Sequence, residues 1–244
     1  VHFARIFMLL LFLTVWELFA DFHIIDSFFF SSPSRVVACF VRMVSERSLF
    51  THIGITLTET VISFFLVALV SLSTATLLWY SRRLSEILEP FLVVLNSLPK
   101  SALAPLLIVW LGTGMDTIIA AGISVAIFGA IINLYTGFLQ ADPEKLLLIR
   151  TLGGTRRDCF FKVVLPASIP VILSNMKVNI GLSLVGVVIG EFLAARRGLG
   201  YLIIYGSQVL QLDMLITSIL LLCIIAMGLY QLLQFAEHCY KKKV

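Results

Sequence analysis

Charge is scarce in this sequence. Only 13% of its 244 residues are Asp, Glu, Lys or Arg, against 59% hydrophobic residues, and the mean hydropathy is +1.03. A water-soluble domain has about 25% charged and about 45–50% apolar residues. Too little polar surface exists here to coat a soluble particle, which excludes a cytosolic globular enzyme, a disordered chain and a nucleic-acid binder. Cysteine is nearly as rare. Cys39, Cys159, Cys223 and Cys239 show no C-x-x-C spacing and read as packing residues, not as a disulfide or zinc framework. The four histidines, His2, His23, His52 and His238, are scattered without metal-ligand spacing. No G-x-x-x-x-G-K-[ST] loop, H-E-x-x-H, G-x-S-x-G or glycine-rich dinucleotide fingerprint occurs. The chain therefore shows no nucleotide cradle, no hydrolytic cluster and no energy source of its own.

What is present is a series of long apolar runs. A helix needs about 20 apolar residues to cross the hydrocarbon layer. Six segments qualify: Phe3 to Ala20, Ile53 to Tyr80, Ile87 to Leu111, Thr117 to Leu139, Pro166 to Ala195 and Met214 to Ala236. The first is read as a retained helix, because Glu17 and Asp21 stand where a signal peptide would place its small-residue cleavage site. Pro90, Pro99 and Pro105 interrupt the third. Between the first two, Val36 to Leu49 is apolar with charges at helical spacing, which suits a short helix at the membrane interface. The chain thus divides into a first helix with an interfacial segment (1–52), a five-helix core (53–236) and a basic tail (237–244).

The few charges are unevenly placed. Eleven of the 18 basic residues fall on one alternating set of connections, five on the other, and Lys100 and Lys177 lie inside spans. Positive-inside bias puts both termini in the cytoplasm, with the loop 140–162 beside them. That loop holds Lys145, Arg150, Arg156, Arg157 and Lys162. Asp142-Pro143-Glu144 reads as a helix start and Gly153-Gly154 as its end. The result is a short helix protruding from the bilayer. Arg150, Arg156 and Arg157 are expected to face water, with Leu148, Leu152 and Phe160 offering apolar contacts.

The segment from Leu147 through Arg150-Thr151-Leu152-Gly153-Gly154-Thr155 to Val163-Val164-Leu165-Pro166 resembles the E-A-A-x3-G-x9-I-x-L-P loop of bacterial ABC importer permeases. Gly153, Val163, Leu165 and Pro166 match, whereas Leu147, Leu148 and Ile149 replace Glu-Ala-Ala. Trp16-Glu17, Ser32-Pro33-Ser34, Leu98-Pro99, Trp110-Leu111-Gly112-Thr113-Gly114, Asp142-Pro143 and Gly198-Leu199-Gly200-Tyr201-Leu202 extend the resemblance over nearly the whole chain, toward the nitrate/sulfonate/taurine/pyrimidine-precursor branch. Glu59 departs from it, since a basic residue is common there.

This resemblance implies an all-α polytopic fold of six transmembrane helices, the type I importer permease, in the bacterial inner membrane. It implies a partner ATPase that binds the ATP, an extracytoplasmic solute-binding protein, and a second permease copy; the chain itself would carry no cofactor. Lys145, Arg150 to Arg156, Val163, Leu165 and Pro166 would form the ATPase-coupling surface. Intramembrane polar residues are costly and so are candidates for the pathway. They are Asn133, Lys177, Asn179 and Glu191; Asn96, Asn133, Tyr135 and Asn179 equally suit bonding between helices, Lys100 and Lys177 suit snorkelling to the headgroups or pairing, and Glu191 suits plain interfacial exposure. Gly186 and Gly190 form G-x-x-x-G, which suits close packing either inside one subunit or at a dimer seam. A self-contained carrier using Glu59 or Glu191, and a non-transporting membrane scaffold, remain as alternatives.

Overall fold

The computed structural model describes residues 2–22 and 30–241; His23, Lys242 and Lys243 lie outside the described residues. The elements are α1 (His2–Asp21), α2 (Pro33–Ser45), α3 (Ser48–Tyr80), α4 (Arg82–Ser97), α5 (Lys100–Leu111), α6 (Met115–Leu139), α7 (Pro143–Thr151), α8 (Arg156–Cys159), α9 (Leu165–Ala194), α10 (Leu199–Gln208) and α11 (Leu212–Lys241). A π-helical turn, Phe160–Val164, joins α8 to α9. No strand occurs among the described residues.

Among the described residues, four stretches are long and apolar enough to cross a membrane: Ser48–Tyr80, Met115–Leu139, Arg156–Ala194 and Leu212–Cys239. They coincide with the second, fourth, fifth and sixth expected spans. The third differs. Its residues form α4 and α5, bent by 97° at the break between them. Only Pro99 breaks the chain, because Leu98 before it is extended (ψ 138°), as the residue preceding a proline prefers. Pro90 and Pro105 remain inside their helices. Among the described residues, helix length and composition thus give four candidate spans, or five if the bent pair counts as one; six are not confirmed.

Helices α3, α6 and α9 pack on one another and form the centre of the molecule. Val67, Ala126 and Ala130 make one buried cluster there, while Ala75, Leu134, Phe138, Phe160 and Val164 make another. Glycine sets the α6–α9 distance. A Cβ on Gly186 would lie 2.7 Å from Cα of Gly122, and one on Gly190 2.9 Å from Cα of Ile118. The G-x-x-x-G face is therefore consumed inside the subunit, while Gly181 opens onto free space.

A short helix forms over much of the segment expected to be interfacial, but it runs Pro33–Ser45 and stops before Arg47 (φ +57°), so that Leu49 belongs to α3. Ser32 caps α2, Pro33 occupies its first turn, and Val36, Cys39 and Met43 are buried. Val37, Phe40 and Val41 remain exposed on its other face. Arg35 pairs with Asp213 at 3.0 Å, and the Ser31 hydroxyl donates to the same carboxylate at 2.6 Å, tying α2 to the start of α11.

Candidate coupling site and polar face of the spans

The protruding helix α7 is built by local chemistry. The Asp142 carboxylate accepts from the Glu144 N–H at 2.9 Å, and Pro143 fills the first helical position, where its missing N–H costs nothing. Gly153 ends the helix at φ +81°, a left-handed conformation open to glycine. Gly154 then passes so close to Ile149 that a Cβ would sit 2.7 Å from its carbonyl oxygen. α7 itself buries no residue. Leu147, Leu148 and Leu152 are exposed at its end, Leu152 at 75%, beside the exposed Arg150.

The chain re-enters the bundle through a second cap. The Thr155 N–H and hydroxyl donate to the Asp158 carboxylate at 2.9 and 2.6 Å, and the Asp158 N–H returns a bond to the Thr155 hydroxyl. From Arg156 to Ala194 is 39 residues, about 58 Å of helix against about 30 Å of hydrocarbon, which is long enough to leave the charged start, Arg156 to Lys162, outside a bilayer. There the Thr155 bonds, with the Lys162 ammonium at 3.0 Å, hold the Asp158 carboxyl well below the usual carboxylate range.

Phe160 corrects the sequence reading. It is 3% exposed and offers nothing to a partner. Its ring lies 5.2 Å from Trp79, 5.4 Å from Tyr80 and 5.5 Å from Phe138, centroid to centroid. The C-terminal ends of α3 and α6 thus grip the chain just after α8. Aromatic pairs at these distances contribute about 0.5–1.5 kcal/mol each beyond area burial. Helical periodicity marks Phe160 as apolar but is blind to rings arriving from two other helices. Val163 and Leu165 are half-buried behind it and Pro166 is exposed. Lys145 pairs loosely with Asp142 at 3.9 Å, and the Thr151 hydroxyl donates to the Leu148 carbonyl.

The four pathway candidates do not converge. Glu191 is 1% exposed and receives bonds from the Thr56 hydroxyl at 2.6 Å and the Gly200 N–H at 2.5 Å. Thr56 in turn accepts from the Leu199 N–H at 2.9 Å, so Glu191 and Thr56 together cap the start of α10. Glu59 is buried beside this cap, with Oε2 lacking a protein partner. Lys177 bonds Glu237 of α11 at 2.5 Å. Asn179 is buried at a small cavity between α3 and α9. Asn133 lines a cavity between α6 and α9 together with Asn175, which sequence reasoning missed, and Lys177 lines another between α9 and α11 with Gln231, Gln234 and His238. Asn175 sits in a run of mixed polarity, Ser174-Asn175-Met176-Lys177, that points to no particular face.

Comparison with known proteins bears on this arrangement. Residues 67–236 match the family described as "Binding-protein-dependent transport system inner membrane component". A "Probable ABC transporter permease protein" of Haemophilus influenzae is 30% identical over 226 residues, 93% of this chain and 91% of that protein. The "Formylaminopyrimidine transport permease protein ThiX" of Halalkalibacterium halodurans is 28% identical, over 79% of this chain and 76% of its own. The "Putative aliphatic sulfonates transport permease protein SsuC" of Bacillus subtilis is 26% identical, over 87% and 77%. Among solved structures, the inward-facing MetNI methionine ABC transporter superposes with a TM-score of 0.68 at 20% identity, over 82% of this chain and 97% of that one. That last likeness shows the fold.

Proposed function

The chain belongs to the family of binding-protein-dependent transport system inner membrane components, and on that premise we propose how it works as the permease subunit of an ABC importer. It is a multi-pass membrane protein and not an enzyme. Membership of this family replaces the self-contained carrier and the scaffold as readings. Two copies enclose the pathway, two partner ATPases bind the ATP, and an extracytoplasmic binding protein delivers the solute. Each copy has six spans, with α1 as the first and the bent pair α4–α5 as the third. Both termini and α7 lie in the cytoplasm, and the core 53–236 carries the pathway. The solute is small, of the kind named for the relatives: a pyrimidine precursor or a sulfonate.

The observation that carries the coupling role is the exposed cluster of Leu147, Leu148 and Leu152 at the end of a nine-residue helix too short to cross a bilayer. Apolar side chains on a charged, water-facing knob have a partner as their natural environment. ATPase closure pushes on this knob, and the Phe160 cage passes the displacement to the inner ends of α3 and α6 as a rigid-body movement. The test is Leu148→Asp with Leu152→Asp in the full transporter. Loss of ATP hydrolysis stimulated by loaded binding protein, with the permease still folded in the membrane, is expected. Undiminished stimulation would falsify the coupling role.

A further inference from the structure

Between α6 and α9 lies a cavity of about 470 Å³. Asn133 and Thr136 line it from one face of α6, at positions i and i+3, and Gln140 lines it from the residue that caps the end of that helix. Ser174 and Asn175 line it from α9. Asn133 stands six residues, about 9 Å, from the inner end of α6. Asn133, Thr136, Gln140 and Ser174 are all exposed on the subunit surface. Amides and hydroxyls facing lipid at this depth would find no partners, so the face looks onto water.

Asn175 adds a specific demand. It is 6% exposed, and its Nδ2 donates to the Ala130 carbonyl at 3.4 Å. A carbonyl accepts only, so this bond fixes which end of the amide is which. Oδ1 is thereby left buried with no protein partner. It requires a donor. The lining holds no Asp, Glu, Lys or Arg, and Lys177, two residues from Asn175, is held by Glu237.

We propose, building on the permease reading above, that this cavity is a solute-contact site on the inner half of the pathway, and that it favours an uncharged nitrogen heterocycle with N–H donors over an oxyanion. Such a ring gives an N–H to Asn175 Oδ1, and its ring nitrogens accept from the Asn133 and Gln140 amides. A nitrate or simple alkanesulfonate offers acceptors alone. It leaves Oδ1 orphaned and meets no Arg or Lys fork. Sites built to bond a solute N–H discriminate strongly against analogues lacking it.

The test uses the complete transporter in lipid nanodiscs, with Cys39, Cys159, Cys223 and Cys239 replaced by Ala. Ser174→Cys is exposed to a charged methanethiosulfonate reagent, with Ile224→Cys on the exposed apolar face of α11 as the control. Ser174→Cys is expected to react much faster. Either 4-aminopyrimidine or cytosine should slow that reaction, ethanesulfonate should not, and Asn175→Leu should weaken the protection by about tenfold, the factor one hydrogen bond contributes. Equal reaction at the two positions overturns the proposal, as does protection by ethanesulfonate or by neither heterocycle. None of these results touches the Leu148/Leu152 experiment, which reads ATP hydrolysis alone.

Discussion

The guanidinium of Arg156 lies 5.5 Å above the indole of Trp79 and donates to the Trp79 carbonyl at 3.1 Å. These residues are 77 apart in sequence and belong to the loop 140–162, for which the coupling role is proposed, and to the last turn of α3. Behind them Phe160 fills the space between Trp79, Tyr80 and Phe138. A push on the loop therefore reaches two spans through one ring. Phe160→Ala should cost about 3–5 kcal/mol, as other buried Phe truncations do. It should also leave ATP hydrolysis running without dependence on the binding protein. Thermal unfolding in detergent and the ratio of ATP hydrolysed to solute moved measure the two effects. Phe160→Leu, which keeps most of the volume, should retain coupling. A folded Phe160→Ala transporter with normal coupling would place transmission elsewhere.

Glycines on one helix should respond in opposite ways. At Gly186 a Cβ meets backbone, 2.7 Å from Gly122 Cα and 2.8 Å from the Ala121 carbonyl oxygen, so α6 and α9 must separate to admit it. Gly186→Ala is expected to cost about 1–3 kcal/mol by overpacking. At Gly181 nothing lies within 4 Å, and the Ala variant gains about 1 kcal/mol of helix propensity. Unfolding midpoints of the two variants in one mild detergent should fall on opposite sides of the parent.

How far the sequence reveals this molecule depends on whether the cause is local. The start and end of α7 are legible because Asp142-Pro143 and Gly153-Gly154 act within a few residues of themselves. The long spans are legible because each exceeds the length a bilayer demands. The bend in the third span is only half legible. Three prolines announce a disturbance, but the sequence does not single out Pro99 from Pro90 and Pro105, which stay inside their helices. Glu191 illustrates the illegible part. Its role depends on Thr56, 135 residues away, and on a loop that folds back over it. An intramembrane carboxylate reads as a pathway group from sequence, whereas here both its oxygens are engaged by neighbouring donors.

That cap makes Gly198 and Gly200 intolerant of side chains. Gly198 sits at φ +117°, and a Cβ there would run into the Glu191 carboxylate. A Cβ on Gly200 would stand 2.7 Å from Glu191 Oε2. Gly198→Ala should destabilise more than Gly200→Ala, because it adds backbone strain to the clash. Glu191→Leu should cost about 1–3 kcal/mol by stranding the Gly200 N–H and the Thr56 hydroxyl. Protease sensitivity at the α10 start, compared across the three variants, checks the assignment. Cleavage no faster than in the parent would show that α10 is held by other contacts.

Lys177 separates a pairing role from a pathway role. Its Nζ is 2.5 Å from Glu237 Oε2, with side-chain exposures of 18% and 13%. The pair joins α9 to α11. If its purpose is to neutralise two charges between helices, removing one partner strands the other. Lys177→Met and Glu237→Gln should then each lower stability, while the double variant recovers much of the loss, since two uncharged side chains leave nothing to compensate. Transport should follow stability through this cycle and return in the double variant. A lysine that touches the passing solute behaves otherwise, because transport would fail wherever Lys177 is absent, whatever stands at position 237. Stability and uptake measured on the same four proteins therefore distinguish the two roles, and the geometry predicts that they move together.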